Sequence, residues 1–239
     1  MGGRGGSLGG SQGITVESAL ATAEALTSVA NEFEGHPETT ELLDAMNHDQ
    51  QMEWIRKIVP GISDEKAEDM IQACSDYSLS YYAKMHQNNP NNEEAIRKKI
   101  DAVDAMLNSK NAPIYKGEIF RGVRWRGSEQ TLKDIVASGI WTEPGITSFS
   151  TSLSVAKEFA AYNDPTAGIV NIILREKSGK NISGVPFKHL SEIPIENEVL
   201  MPSSVRERGW NITSSKWQNA PNGGKYLFLD VEERTEKVP

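Results

Sequence analysis

Glu192-Ile193-Pro194-Ile195-Glu196-Asn197-Glu198-Val199-Leu200-Met201-Pro202 is the stretch around which the rest of the chain is organised. Two carboxylates, Glu196 and Glu198, stand two residues apart ahead of an apolar run. Residues i and i+2 of a strand share a face, so this spacing predicts two acids side by side at the mouth of a strand over 199–201. Like charges held that close repel, and persist where a cation or a reaction uses them. The pair is therefore either a solvated strand entry or a site, and the remaining sequence decides between them.

The 239 residues carry a formal net charge of −8, with 38% hydrophobic and 24% charged side chains. That is ordinary globular composition, long enough for one large domain or two modest ones. The acidic balance disfavours a nucleic-acid partner on charge grounds, and an anionic ligand would need locally placed arginines. One cysteine, Cys74, permits neither an intrachain disulfide nor a cysteine metal cluster. The histidines, His36, His48, His86 and His189, lack zinc-type spacing, so no metal is expected. No apolar run approaches membrane-spanning length, and no basic segment followed by an apolar one opens the chain. The expectation is a soluble protein of a reducing compartment, or one delivered into it, with no classical signal peptide.

Outward from the acidic stretch, the hydrophobic period divides the chain. Residues 1–13 are Gly/Ser-rich and read as a flexible tail. Over 14–112 the apolar residues recur every three or four positions, as in helices. Ala19, Leu20, Ala23, Leu26 and Val29 form one stripe, and Thr39-Thr40 caps a second helix with Leu42, Leu43 and Met46. Met52, Ile55 and Ile58 form a third face, stopped by Pro60-Gly61. Ser63 opens a helix whose stripe runs Met70, Ile71, Cys74, Tyr77, Tyr81; a further helix spans 93–107. These stripes read as helix–helix core.

From about residue 113 the period changes to two. Strands are expected over 118–125, 146–151, 167–174 and 199–201, and from Trp210-Asn211-Ile212-Thr213 and 226–231 as a pair, with a strand or turn at 181–183. Two short helices lie among them, one from Ser128 to Gly139 and one capped by Ser152 or Ser154. The fold class is α+β: a helical N-terminal region, then a mixed or antiparallel β-sandwich of two sheets over 113–239.

Two further motifs fall in this second half. In Phe120-Arg121-Gly122 a charge sits inside an apolar strand and needs a partner, while the glycine lets a ligand approach the backbone. An edge arginine pointing to water is the alternative. Ser150-Thr151-Ser152 places three hydroxyls at a strand end, either as a helix cap or as holders of a carboxylate or ribose.

Together these motifs resemble the R-S-E class of ADP-ribosyltransferases, which includes arginine-modifying bacterial toxins. Its signature is an aromatic-Arg on one strand, Ser-Thr-Ser on a second, and Glu-X-Glu opening a later one. Here the three occur in that order, with 29 residues from Arg121 to Ser150 and 46 from Ser150 to Glu196. The surroundings Ser154-Val155-Ala156-Lys157-Glu158-Phe159 and Glu198-Val199-Leu200-Met201-Pro202 are similar too, and the resemblance covers roughly 113–233.

The resemblance implies NAD as substrate and a target protein carrying an acceptor arginine as partner, with no metal. It implies that Glu198 stabilises the ribosyl cation, that Glu196 selects and deprotonates the acceptor, and that Arg121 clamps an NAD phosphate. Gly122 would offer its backbone to nicotinamide. Ser150 would orient Glu198, with Thr151 and Ser152 bracing the site. Of the two local aromatics, Tyr162 rather than Phe159 is expected to stack on nicotinamide, Phe159 being read as core. Arg124 or Arg126 would be a second phosphate ligand, and His189 a surface histidine. Ile193 stands where the family often has an aromatic, which bears on target recognition. A bacterial or phage effector fits this pattern. The alternatives are an NAD glycohydrolase and a phage-head scaffold protein with a vestigial module.

Overall fold

A computed structural model describes residues 46–239 apart from Ser80, Asn88, Pro90, 178–181, Pro221, Asn222 and Pro239. The expected tail and the helices placed over 14–45 lie outside the described residues. Four helices come first: α1 (His48–Ile58), α2 (Asp64–Ser78), α3 (Tyr82–Gln87) and α4 (Glu94–Leu107). Their starts follow local chemistry. Asn47 and Gln50 close a capping box on α1, and the Ser63 hydroxyl accepts the Lys66 N–H of α2. The stripe expected to run through Tyr77 and Tyr81 is broken: α2 stops at Ser78, and α3 begins at Tyr82.

Then follow β1 (Ile119–Trp125), α5 (Glu129–Ser138), β2 (Ile140–Trp141), β3 (Thr147–Ser150), α6 (Leu153–Phe159), β4 (Val170–Glu176), β5 (Val185–Pro186), β6 (Glu198–Met201), α7 (Val205–Arg208), β7 (Trp210–Asn219) and β8 (Lys225–Glu233). Ser128 caps α5 and Gly139, at φ 72°, ends it in the left-handed conformation that glycine adopts without strain. The strand expected at 181–183 falls partly outside the described residues; pairing is seen instead at Val185–Pro186.

The strands pair in the order β2-β7-β8-β4-β1-β3-β6-β5, antiparallel except for β4 with β8. The sheet is continuous, yet β1 and β3 share a single register pair, Phe120 with Ser150. Five strands lie on one side of that junction and three on the other. The sheet folds over there: Phe149 of β3 packs on Trp210 of β7 with ring centroids 5.5 Å apart, although three strands separate them in the order. The two halves are the layers of the expected sandwich, joined along one edge.

Alternation in β6 and β3 explains how the site is built. Val199, Met201 and Phe149 point between the two halves, into a core shared with Val170, Ile172, Leu174, Leu227, Leu229 and Val231. Leu200 points the other way, into a second core made with the helices. Ser148, Ser150 and Glu198 share its face by register, Ser150 lying opposite Glu198 and Ser148 opposite Leu200. The hydrophobic helix stripes thus cover the sheet face that carries these polar groups, through Ile55, Met70, Tyr77, Ile100 and Met106.

Candidate active site

Where β1 and β3 separate, a cavity of about 290 Å³ opens. Phe120, Arg121 and Gly122 line it from β1, Ser148 and Ser150 from β3, and Ala156 and Phe159 from α6. Tyr77, Leu79 and Tyr82 close it from the helical side, and Ile193, Glu196 and Glu198 from the acidic stretch. All three sequence motifs meet here.

The acidic pair is arranged differently from the period-two expectation. Only Glu198 is in the strand. Pro194–Glu196 form a 3-10 turn, and Asn197 is left-handed at φ 46°, ψ 50°. Proline's fixed φ suits the first position of such a turn, and asparagine is among the residues that best tolerate that basin. The chain therefore rotates between the two acids. Glu198 is buried, 7% exposed, whereas Glu196 is half-buried. Burial, with Glu158 nearby, raises the Glu196 carboxyl above its ordinary range.

The hydroxyl run secures that turn. The Ser150 hydroxyl donates to the Glu196 carbonyl at 2.6 Å and accepts the Ser152 N–H at 2.9 Å. The Thr151 N–H donates to the Asn197 carbonyl at 3.0 Å. Ser152 occupies the N-cap position of α6. So Ser150 holds backbone, and the expected bond from Ser150 to Glu198 is replaced by one from Ser148, whose hydroxyl donates to Glu198 Oε1. Glu198 Oε2 is buried with no hydrogen-bond partner. Burial pushes the Glu198 carboxyl up; the Ser148 bond and Arg121 pull it down and Glu196 pushes it further up, for a net value of about 7.

Arg121 does not present a free fork to a phosphate. Its Nε donates to Glu143 Oε1 at 2.9 Å and its Nη2 to Glu143 Oε2 at 3.3 Å. Nη1 donates to the Ser148 carbonyl at 2.8 Å and to the Tyr82 hydroxyl at 3.4 Å. Arg121 and Glu143 are both at least nine-tenths buried, and Trp141 Nε1 donates to Glu143 Oε1 at 2.9 Å. Burial pushes Glu143 up, but the Arg121 charge and hydrogen bonds from His86 and Arg121 outweigh it and hold the carboxyl at about 2. His86 Nδ1 lies 2.7 Å from the Ile146 carbonyl, which only accepts, so Nδ1 carries a proton. Its ring stacks on Tyr82 at 5.4 Å. The geometry makes Arg121 a tie between β1, β3 and the helices at the cavity wall.

The remaining expected residues divide. Gly122 is explained by packing: a Cβ there would lie 1.8 Å from the Ala156 carbonyl and 2.6 Å from the Ala160 nitrogen, so α6 sits directly on β1. On its other side β1 has no β3 partner beyond Phe120, which leaves that edge facing the cavity. Tyr162, expected to stack on a ligand, instead packs on Tyr226 at 4.7 Å and Phe228 at 6.3 Å, outside the cavity lining. Phe159, read as core, is 59% exposed and lines the cavity. The helix turns it outward, because Ala156 and Ala160 occupy the face against β1. Arg124 is half-buried and donates to Thr166 at 3.1 Å, and Arg126 is exposed; neither lines the cavity. His189 is half-buried rather than at the surface, and burial lowers its pKa, with Lys188 adding to the effect.

Sequence reasoning missed Tyr77, Tyr82, His86, Glu143 and Ser148. Ser148 was within reach, since it stands two residues before Ser150 and alternation puts both on one face. Glu143 carries no such signal, because an acid ahead of Pro144-Gly145 reads as a solvated turn. No group of three or more His, Cys, Asp or Glu suited to a metal occurs among the described residues, nor any helix long and apolar enough to cross a membrane.

No family model matches the chain, and no curated protein matches it in sequence. Solved structures do match. The Vis toxin, an ADP-ribosyltransferase from Vibrio Splendidus, is 20% identical over 82% of this chain and 90% of its own, with a TM-score of 0.51. The ADP-ribosyltransferase Vis in complex with agmatine gives 20% identity, 82% and 97% coverage, and a TM-score of 0.52. The chain has the ADP-ribosyltransferase fold, as its ordered motifs lead one to expect.

Proposed function

We propose that the protein transfers ADP-ribose from NAD to an arginine side chain of a target protein, releasing nicotinamide. The observation that carries this reading is Glu198: a buried carboxylate, one oxygen held by Ser148 and the other unpartnered, at the wall of a cavity that also holds Glu196. An unpaired buried acceptor of this kind fits a ligand hydroxyl. In the reaction the bond between ribose C1′ and the nicotinamide nitrogen breaks, and nicotinamide leaves with the bonding electrons. The ribosyl carbon becomes oxocarbenium-like, and a fixed carboxylate beside it stabilises that positive charge more than it does the ground state. Glu198 binds a ribose hydroxyl and supplies this charge.

Glu196 is the group for the acceptor. Its half-buried carboxylate at the cavity mouth suits a planar guanidinium, which it orients and from which it takes the proton as the new C–N bond forms. A guanidinium ligand bound to the structurally similar Vis, agmatine, supports this assignment. Phe159, exposed over the cavity, is the aromatic that stacks on nicotinamide. Gly122 lines the β1 edge with its backbone. Residues 46–112 act as the cover of the cavity, supplying Tyr77 and Tyr82, and residues 113–239 carry the motifs. The targets of such an enzyme lie in a cytoplasm to which it is delivered.

The test is incubation with labelled NAD and a cell lysate, followed by mass spectrometry of modified residues. Label on arginine, abolished in Glu198→Ala, is expected. Label on other residues, or an unaltered Glu198→Ala enzyme, overturns the assignment. Glu196→Gln separates transfer from hydrolysis: arginine labelling should collapse while NAD cleavage with water as acceptor partly survives.

A further inference from the structure

We propose that Tyr77 is a positioning residue for Glu198, acting through Ser148 as a buried hydroxyl relay that runs from the helical segment into the site. The inference rests on the reading of Glu198 given above and adds to it a group that no signature motif contains.

The donors and acceptors fix the direction of the relay. A carboxylate only accepts, so the single hydroxyl proton of Ser148 goes to Glu198 Oε1. The Ser148 oxygen then has acceptor capacity alone, and the Tyr77 hydroxyl, 3.0 Å away, is its donor. Tyr77 is fully buried, and its ring is set edge-on against Tyr82 at 5.4 Å and Phe187 at 6.1 Å. Packing of α2, α3 and the loop after β5 therefore aims the phenol. Oε1 is held by Ser148, and Oε2 is the oxygen left without a partner. Polarised chains of this kind strengthen each bond beyond its isolated value in a dry interior.

The charged and titratable neighbours of Glu198 are Cys74 and Tyr77 from α2, Arg121 from β1 and Glu196 from the turn. Burial raises the pKa of both Cys74 and Tyr77, so neither contributes charge at neutral pH. Arg121 and the Ser148 bond favour the ionised carboxylate; burial and Glu196 oppose it. Tyr77 makes Ser148 a better donor and so belongs to the first group.

The experiment compares wild type, Tyr77→Phe, Ser148→Ala and their double variant, with Glu198→Gln as reference. The titration of the Glu198 carboxyl is followed by 13C NMR, assigned by its absence in Glu198→Gln, and NAD hydrolysis is measured from pH 5 to 9. Losing the Ser148 bond should raise the Glu198 midpoint by roughly one pH unit, and Tyr77→Phe by about half a unit. Near pH 6, kcat in Tyr77→Phe should fall about threefold for that half-unit shift, with KM for NAD little changed. The deciding result is the double variant, which should match Ser148→Ala. Additive shifts, or an unmoved midpoint in Tyr77→Phe, would mean that Tyr77 acts by packing alone and would overturn the relay. Full hydrolysis by Glu198→Gln would instead sink the reading of Glu198, while the carboxyl titrations still decide the relay.

Discussion

Glu198→Gln should make the protein more stable at pH 8 while abolishing its chemistry. Burial moves the Glu198 carboxyl from 4.5 in the unfolded chain to about 7 in the fold. A raised carboxyl means that the folded state holds its proton longer than the unfolded state does. The associated stability is fully present below about pH 4.5, declines through the interval up to 7, and is gone above it. At about 1.4 kcal/mol per unit the whole interval corresponds to roughly 3 kcal/mol, of which about 2.5 kcal/mol falls between pH 5 and pH 8. Glutamine keeps the shape and cannot ionise, so the variant lacks this decline. Urea denaturation at pH 5, 6, 7 and 8 measures it directly: the stability of the variant relative to wild type should climb by about 2.5 kcal/mol across the series. A difference that stays flat with pH would show that Glu198 is ionised in the fold throughout, and the argument from burial would fail. Loss of NAD cleavage in a more stable protein would separate the catalytic role of the charge from any part in folding.

Three other substitutions probe the frame. Gly122→Ala forces α6 away from β1, because its methyl meets backbone rather than a side chain that could yield; a loss of about 1–3 kcal/mol or more, with impaired NAD binding, is expected in denaturation and titration calorimetry. Glu143→Ala leaves the Arg121 guanidinium buried and unpaired, which should cost about 3–5 kcal/mol and depress the melting temperature steeply; a variant as stable as wild type would show that Arg121 can leave its pocket. Phe159→Ala removes an exposed ring, so stability should stay within about 0.5 kcal/mol while KM for NAD rises, and an unchanged KM would remove Phe159 from the ligand site.

Helix starts, strand alternation and the ordered motifs were readable because each depends on local chemistry. Ser63, Ser128 and Gly139 do their capping within four residues of where they stand. The fold class followed from the change of period near residue 113. What could not be read was long-range and polar. Nothing local distinguishes Glu143 from a solvated acid, since its partner Arg121 is 22 residues away and meets it only after the sheet has folded. Tyr77 reads as core at helical spacing, which it is; its hydroxyl finds Ser148 across 71 residues. Phe159 lies at the cavity rather than in the core for a similar reason, because the face of α6 that meets β1 is set by Gly122, on another element.

The acidic stretch shows the limit most sharply. Period two assumes a strand on both sides of Asn197, and that residue is left-handed. Ser150 and Thr151 hold the Glu196 and Asn197 carbonyls and impose the turn from outside the stretch. Had Glu196 and Glu198 both been in β6, they would share one face, one environment and one strong mutual repulsion. The turn gives them different surroundings instead: Glu198 buried against Ser148, Glu196 at the mouth beside the exposed Ile195. In the proposed reaction, two carboxylates separated in this way take two roles, one toward the ribose and one toward the acceptor. The serine and threonine of the hydroxyl run hold the turn on which that proposed division of labour depends.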